Sequence, residues 1–496
     1  MLFNSFGFLC GFLPLTLFGL AAAARVSGDA ARVWLILCSL VFYGWWNPVF
    51  VPMLLGSVAG NFAVGRLIER LHAGTRARTW VLIGGIGANL VALIWCKYLV
   101  DWLAGLDAWF GTGLAMDNPL VPLGVSFFTF TQIGVLLDRA AGIEPNRRLL
   151  DYTLFVTFFP ALIAGPIQTG RDTMHQIAER TRWHLSAEDI AIGGGIFLIG
   201  LLKKTLLADP LAPIVAAGFA DPGALTLLAA WQVALSYSMQ LYFDFSGYSD
   251  MAIGAARLCG LRYPLNFASP YKARSIIDYW QRWHISLTRF FMTAVHAPLT
   301  MAVMRWRRAH GRRLDRTAQR QVGGFAAMIL LPIGITMGLA GIWHGSTLTF
   351  LVFGLLHALF LAVNHAWRIH RPGRQSPDIA TRIGQVALTY GCVLLASVVF
   401  RAPSLDAALS VFSGMAGLHG WAAPDTSPRS LVEAATLAGL YGLVWFAPNT
   451  QQIMDTEGRG WWCWRPSIPW AVACGCATTL GLLSLGGTAE FLYFRF

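Results

Sequence analysis

Apolar residues fill this chain in long runs, and the polar positions between them gather in short clusters. Runs long enough to cross a bilayer, about 17–25 residues each, fall near 6–24, 31–50, 51–67, 80–105, 119–137, 188–208, 224–252, 322–342, 346–366, 383–400, 432–447 and 468–488. Continuous hydrophobicity of this length predicts helices, because a helix satisfies its own backbone polar groups inside lipid. Two stretches break the pattern. TLFVTFFPALIAGPIQ (153–168) carries Pro160, Gly165 and Pro166, each of which disfavours an uninterrupted helix, and is read as a re-entrant segment. KARSIIDYWQRWHISLTRFF (272–291) puts Ile276, Trp280, Trp283, Leu287 and Phe291 on one side at 100° per residue, with Asp278, Arg282 and Arg289 opposite. That is an amphipathic helix suited to the inner interface.

Composition agrees with this pattern. Of 496 residues, 56% are hydrophobic and 12% charged, about half the charged fraction of a soluble domain. The expected fold is an all-α polytopic membrane protein. No stretch could fold alone in water, so 1–496 reads as a single membrane domain, with 272–320 as a cytoplasmic-side amphipathic helix and Arg-rich segment. The net charge of +12 lies between hydrophobic runs rather than on a soluble patch, so it argues for orientation in the membrane and against nucleic-acid binding.

With an outside N-terminus and a re-entrant 153–168, the arginine clusters at 66–78, 139–148, 305–320 and 368–382 all fall on the cytoplasmic side. The loop 401–431 then lies outside. The first run is not preceded by Lys or Arg, since the first cation is Arg25, and it is read as an uncleaved span. Most of the eight cysteines sit in apolar runs and none forms a metal-type array, so no metal is expected. Lys203 and Lys204 interrupt an apolar run; they mark either a membrane boundary or a wet, protein-lined cavity.

Chemistry concentrates in a few places. Val322–Trp367 contains no Lys, Arg, Asp or Glu, and His344 sits near its centre in GLAGIWHGST. Gly338, Gly341 and Gly345 predict a broken, closely approachable backbone there. An ionisable residue inside a membrane is a functional candidate, and imidazole is well poised to take a proton near neutral pH. His284 falls on the apolar side of the amphipathic stretch, between the directions of Trp280 and Ile277, either as a hydrogen-bonded interfacial residue or as part of a site. His357 and His365 are read as helix packing. Asp244 and Asp250, in MQLYFDFSGYSDMAIG, are buried carboxylates whose partners could be arginines or histidines, holding the site indirectly. No serine-hydrolase, Walker, zinc-protease or dinucleotide motif occurs.

Six blocks occur in a fixed order: PLGVSFFTF (122–130), FFPALIAGPI (158–167), YFDFSGYSDMAIG (242–254), LNFASPYKARSIIDYWQRWHISLTRF (265–290), GIWHG (341–345) and FLYFRF (491–496). Together they resemble the membrane-bound O-acyltransferase family, specifically its bacterial branch of alginate O-acetylating subunits and teichoic acid D-alanyl transferases. The resemblance implies a ring of about 11–12 transmembrane helices, with re-entrant and interfacial helices, around a central tunnel. The family's membrane histidine falls on His344 and its second histidine on His284. Trp343, Gly345, Asp244, Asp250, Trp283 and Gln281 are the supporting positions.

The implied reaction moves an acyl group, expected to be acetyl, from a cytoplasmic thioester to a hydroxyl of an exopolysaccharide such as alginate or cellulose. Acetyl-CoA is the expected donor, with an acyl carrier protein as the other choice, and no cofactor stays bound. A periplasmic SGNH-type acetyltransferase is the expected partner, in the bacterial inner membrane. His344 would serve as general base, and His284 would orient the thioester or its carbonyl. Arg305, Arg307 and Arg308 either anchor topology or attract donor phosphates. D-alanyl transfer and a precursor transporter or flippase are the competing readings. The terminal block and the YFDFSGYSDMAIG block favour acetylation, and no inverted repeat supports transport.

Overall fold

The computed structural model describes residues 1–113, 122–143, 148–180, 183, 185–371, 378–422, 427–458, 460–486 and 492. Each predicted run contains a helix, and no strand occurs among the described residues. Among the described residues, seven helices are long and apolar enough to cross a membrane: Gly7–Val26, Phe50–Arg70, Arg76–Lys97, Ala187–Ala220, Val322–His344, Leu348–His370 and Ile379–Arg401. The protein is an all-α, multi-pass membrane protein. Leu227–Leu258 is also long enough, at 32 residues, but its carboxylates and serines make it less apolar. Every residue from Ser236 to Ala256 is buried, so this helix meets protein on all sides and tolerates polar groups that lipid would exclude.

The chain divides into two compact units. The first comprises Met1–Thr205, Phe245–Leu265 and the chain from Thr450 onward; the second comprises Leu206–Asp244 and Asn266–Asn449. In the first unit, Phe3, Phe8, Phe12, Phe42, Phe159 and Tyr248 form an aromatic core with ring centroids 4.9–6.1 Å apart. Helix Ala187–Leu202 packs backbone to backbone on the end of Leu227–Leu258. A Cβ on Gly200 would lie 2.6 Å from the Gly247 carbonyl, and one on Gly254 would lie 2.6 Å from the Gly193 carbonyl. Both pairs repeat at a seven-residue interval, which keeps the small residues on one seam of each helix.

The lysine pair resolves in this unit. Lys203 Nζ donates to Asp250 Oδ2 at 2.6 Å and to Thr450 Oγ1 at 2.7 Å, and Thr450 donates to the same carboxylate at 2.6 Å. Lys204 is buried beside it. The partner of Asp250 is therefore a lysine, where arginine or histidine was expected. The broken-helix expectation for 153–168 holds: Leu149–Thr157 stops at Phe158 and only a four-residue turn, Phe159–Leu162, follows.

In the second unit, Leu331–His344 and Leu348–His370 form an antiparallel hairpin. Gly341 and Gly354 face each other where the two backbones cross; a Cβ on either would overlap the partner helix's carbonyl oxygen. A hydroxyl network pins neighbouring elements: Ser238 Oγ donates to Tyr271 at 3.0 Å, and Tyr390 donates to Ser238 at 3.0 Å.

Candidate active site

His344 is the last residue of helix Leu331–His344, and Gly345 ends the helix with an extended backbone. The glycine-rich stretch does not break the helix as expected. Gly338 and Gly341 lie in continuous helix, Gly341 permits the close crossing, and only Gly345 interrupts. The Gly345 N–H donates to the Ile342 carbonyl at 3.1 Å, so it is already engaged. A Cβ at Gly345 would run into the Phe350 ring. The buried His344 ring is boxed by aromatics, with centroids 4.7 Å from Trp343, 4.8 Å from Phe400, 6.1 Å from Phe353 and 6.2 Å from Phe350.

The amphipathic stretch is not one helix. Ile276–Trp280 and Ile285–Phe291 are separate short helices, and His284 between them takes a left-handed conformation with φ 43°. The helical wheel therefore fails at this residue, although Ile276, Trp283, Leu287 and Phe291 are buried as the pattern required. Arg282 holds the break from outside, through an ion pair to Asp278 at 2.6 Å and a hydrogen bond to the Ala268 carbonyl at 3.2 Å.

Asn266 holds the break from inside. Its Oδ1 accepts from the Ser286 N–H at 3.2 Å and the Ser286 hydroxyl at 3.0 Å, and lies 3.2 Å from His284 Nδ1. An oxygen that accepts from a backbone N–H identifies itself as the carbonyl end of the amide. His284 Nδ1 must then be the donor, which puts the ring's lone pair on Nε2. Complete burial pushes the imidazole pKa down to about 3, so the ring is neutral at pH 7. His284 is thus bonded to an amide side chain rather than to a backbone carbonyl.

One indole joins the two histidines: Trp343 lies 6.1 Å from the His284 ring and 4.7 Å from the His344 ring. Trp283 is buried against Phe267 at 5.0 Å and stacks on Tyr279 at 5.8 Å. A third imidazole packs into the same aromatic set, in keeping with the packing reading. His357 is 1% exposed, its ring is 4.7 Å from Phe353 and 5.0 Å from Trp280, and its Nδ1 has no hydrogen-bond partner among the described residues. On the same helix, His370 returns Nδ1 to the Ala366 carbonyl at 3.0 Å.

Other expected positions scatter. Asp244 is buried, yet six residues from Asp250 on one helix is about 240° of rotation, so the two carboxylates do not share a face. Gln281 is exposed. Arg307 is buried, with Nη2 bonded to the Arg313 carbonyl at 2.9 Å, so it closes its own turn, while Arg305 and Arg308 are exposed. The FLYFRF block lies outside the described residues except for Leu492. No cluster of three metal-binding side chains occurs among the described residues. Asn266 was missed as a site residue because nothing in its spacing, 18 positions before His284, marks it as a partner.

Comparison with known proteins identifies the family. The sequence profile of the membrane-bound O-acyltransferase family matches residues 136–311, taking in His284 and ending before His344. The chain is 35% identical over 447 residues to the peptidoglycan O-acetyltransferase of Helicobacter pylori, covering 85% of this chain and 80% of that protein. It is 34% identical over 456 residues to a probable alginate O-acetylase of Azotobacter vinelandii, covering 90% and 84%. A teichoic acid D-alanyltransferase of Streptococcus thermophilus is 29% identical over 252 residues, covering 49% of this chain and 57% of that protein. An aromatic-boxed histidine, a second one clamped beside the same indole, and relatives aligned over most of both chains lead to one conclusion: this chain belongs to the membrane-bound O-acyltransferase family and is a multi-pass membrane O-acyltransferase.

Proposed function

We propose that the protein transfers an acetyl group from a cytoplasmic thioester to a hydroxyl of an extracytoplasmic polysaccharide, with His344 as general base. The observation that carries this reading is the pair of imidazoles on either side of Trp343, in a chain whose long relatives include two named for O-acetylation. The D-alanyltransferase likeness reaches only half the chain, which gives D-alanyl transfer less support than acetyl transfer. The acceptor class is alginate-like exopolysaccharide or peptidoglycan, in the bacterial inner membrane. A periplasmic SGNH-type acetyltransferase is the partner proposed to complete delivery.

The chemistry follows from the side chains. A sugar hydroxyl is a poor nucleophile until a base takes its proton. A ring nitrogen of His344 accepts that proton as the oxygen attacks the thioester carbonyl. The tetrahedral intermediate then collapses, the C–S bond breaks, and the thiolate leaves with the proton returned from the imidazolium. The surrounding rings exclude water and protect the thioester from hydrolysis.

His284 has a different task. With Nδ1–H donated to Asn266, a lone pair on Nε2 and a depressed pKa, its Nε2 is an acceptor and would not donate to a thioester carbonyl. It is suited to holding an amide N–H of a pantetheine arm, the part shared by coenzyme A and acyl carrier proteins. Arg305 and Arg308 are the exposed guanidiniums left to attract that donor's phosphates. The test is incubation of the purified protein, together with the SGNH-type partner, with radiolabelled acetyl-CoA and either alginate or peptidoglycan fragments. Label should move to polymer with wild type and not with His344→Ala. Equal transfer by both would end the proposal.

A further inference from the structure

Beside the histidine segment lies a cavity of about 390 Å³. Its floor is apolar, from Met328, Ile333, Met337 and Ala340, and Trp280 lines one wall. Two π-helical turns, Met292–His296 and Ala326–Leu330, frame it. Such a turn carries an extra residue that spoils regular helix packing and often marks a functional site, which accounts physically for the space between the helices. At about 30 Å³ per water-sized group, the volume takes roughly a dozen such groups. An acetyl group has three heavy atoms and would fill a corner.

The rim differs from the floor. Met292 is 46% exposed, and His296 and His365, both lining residues, are partly exposed. His365 lies within electrostatic reach of both His296 and Arg368, the latter three positions on along the same helical face. The basic character continues past the rim, where Arg316 donates to the Arg368 carbonyl at 3.3 Å. An alkyl chain gains little by leaving lipid for an equally apolar slot, so selection must come from the head; the Arg368 guanidinium within reach of His365, with the two imidazoles as hydrogen-bonding groups, favours an anion.

We propose that the cavity holds one acyl chain of an anionic membrane phospholipid, with its phosphate at His296, His365 and Arg368. The site goes beyond the acyl-transfer reading and does not depend on which donor or acceptor is used.

The test uses the full-length protein in phosphatidylcholine nanodiscs, doped with phosphatidylglycerol or phosphatidylcholine whose chains carry bromine, which quenches tryptophan on contact. Saturable quenching is expected, with half-saturation at a mole fraction at least threefold lower for phosphatidylglycerol. Trp280→Phe should remove the saturable component. Ala340→Leu, which fills the floor, should shrink it and guards against a packing defect at Trp280. His365→Gln with Arg368→Gln should raise the phosphatidylglycerol half-saturation to the phosphatidylcholine value. Equal quenching by both lipids in the wild type overturns the proposal. So does stoichiometric displacement by palmitoyl-CoA, which would make the cavity a donor slot, or by inorganic phosphate, which would make the rim an ion site without a chain.

Discussion

The buried polar cluster of the first unit and the histidine set of the second handle charge in opposite ways. Lys203, Asp250 and Thr450 close a triangle of bonds of 2.6–2.7 Å, so each ionised group is held by a partner within the fold. His344 is boxed by four rings, and His284 spends one nitrogen on Asn266 while keeping a lone pair on the other. Internal pairing serves architecture. Aromatic enclosure sets an imidazole among apolar rings, the setting in which the proposed proton transfer would serve chemistry. The contrast predicts that substitutions in the first set act on stability and those in the second on rate.

The largest expected effect is on rate. His344→Ala should lower acetyl transfer by about 10²–10⁴-fold while expression, detergent elution and melting temperature stay near wild type. A comparable loss of melting temperature would erase the distinction. Next comes stability: Asp250→Leu strands the Lys203 ammonium and should cost about 3–5 kcal/mol, seen as a much lower melting temperature. The double variant Lys203→Met with Asp250→Leu should recover most of it. Failure to recover would mean that the triangle does more than neutralise charge.

Asn266→Ala releases the tautomer of His284 and should reduce kcat by about tenfold, with a smaller change in melting temperature. A matching pH effect follows. The unfolded imidazole takes its proton near pH 6.5 and the folded one only near 3, so between these values the unfolded chain binds more protons. Stability therefore falls as pH drops through this window, by at most about 1.4 kcal/mol per unit, and His284→Asn should flatten the slope in pH-dependent melting. The smallest effect belongs to the basic segment: Arg305→Glu with Arg308→Glu should raise KM for acetyl-CoA about threefold, less at high salt, with kcat unchanged.

Much of this architecture was legible because lipid imposes simple rules. Long apolar runs became helices, the prolines and glycine of 153–168 stopped one, and the uncharged run around His344 pointed to a buried imidazole. What stayed hidden depended on pairs distant in sequence. Asp250 meets Lys203 from 47 positions away, and no periodicity links them. Helical spacing misread 272–291, because a wheel assumes one continuous axis and His284 turns the chain. The glycines of GLAGIWHG announced close approach correctly, but not that Gly341 would meet Gly354 inside an intact helix.

The left-handed backbone at His284 has a consequence for lineages that carry this site. A side chain at positive φ is a standing cost on the order of 1 kcal/mol that glycine would relieve at once. Only continued need for the imidazole keeps it there. In a descendant that has abandoned acyl transfer, drift at this position should run toward glycine or asparagine before the neighbouring tryptophans are lost, leaving a readable scar of the vanished reaction.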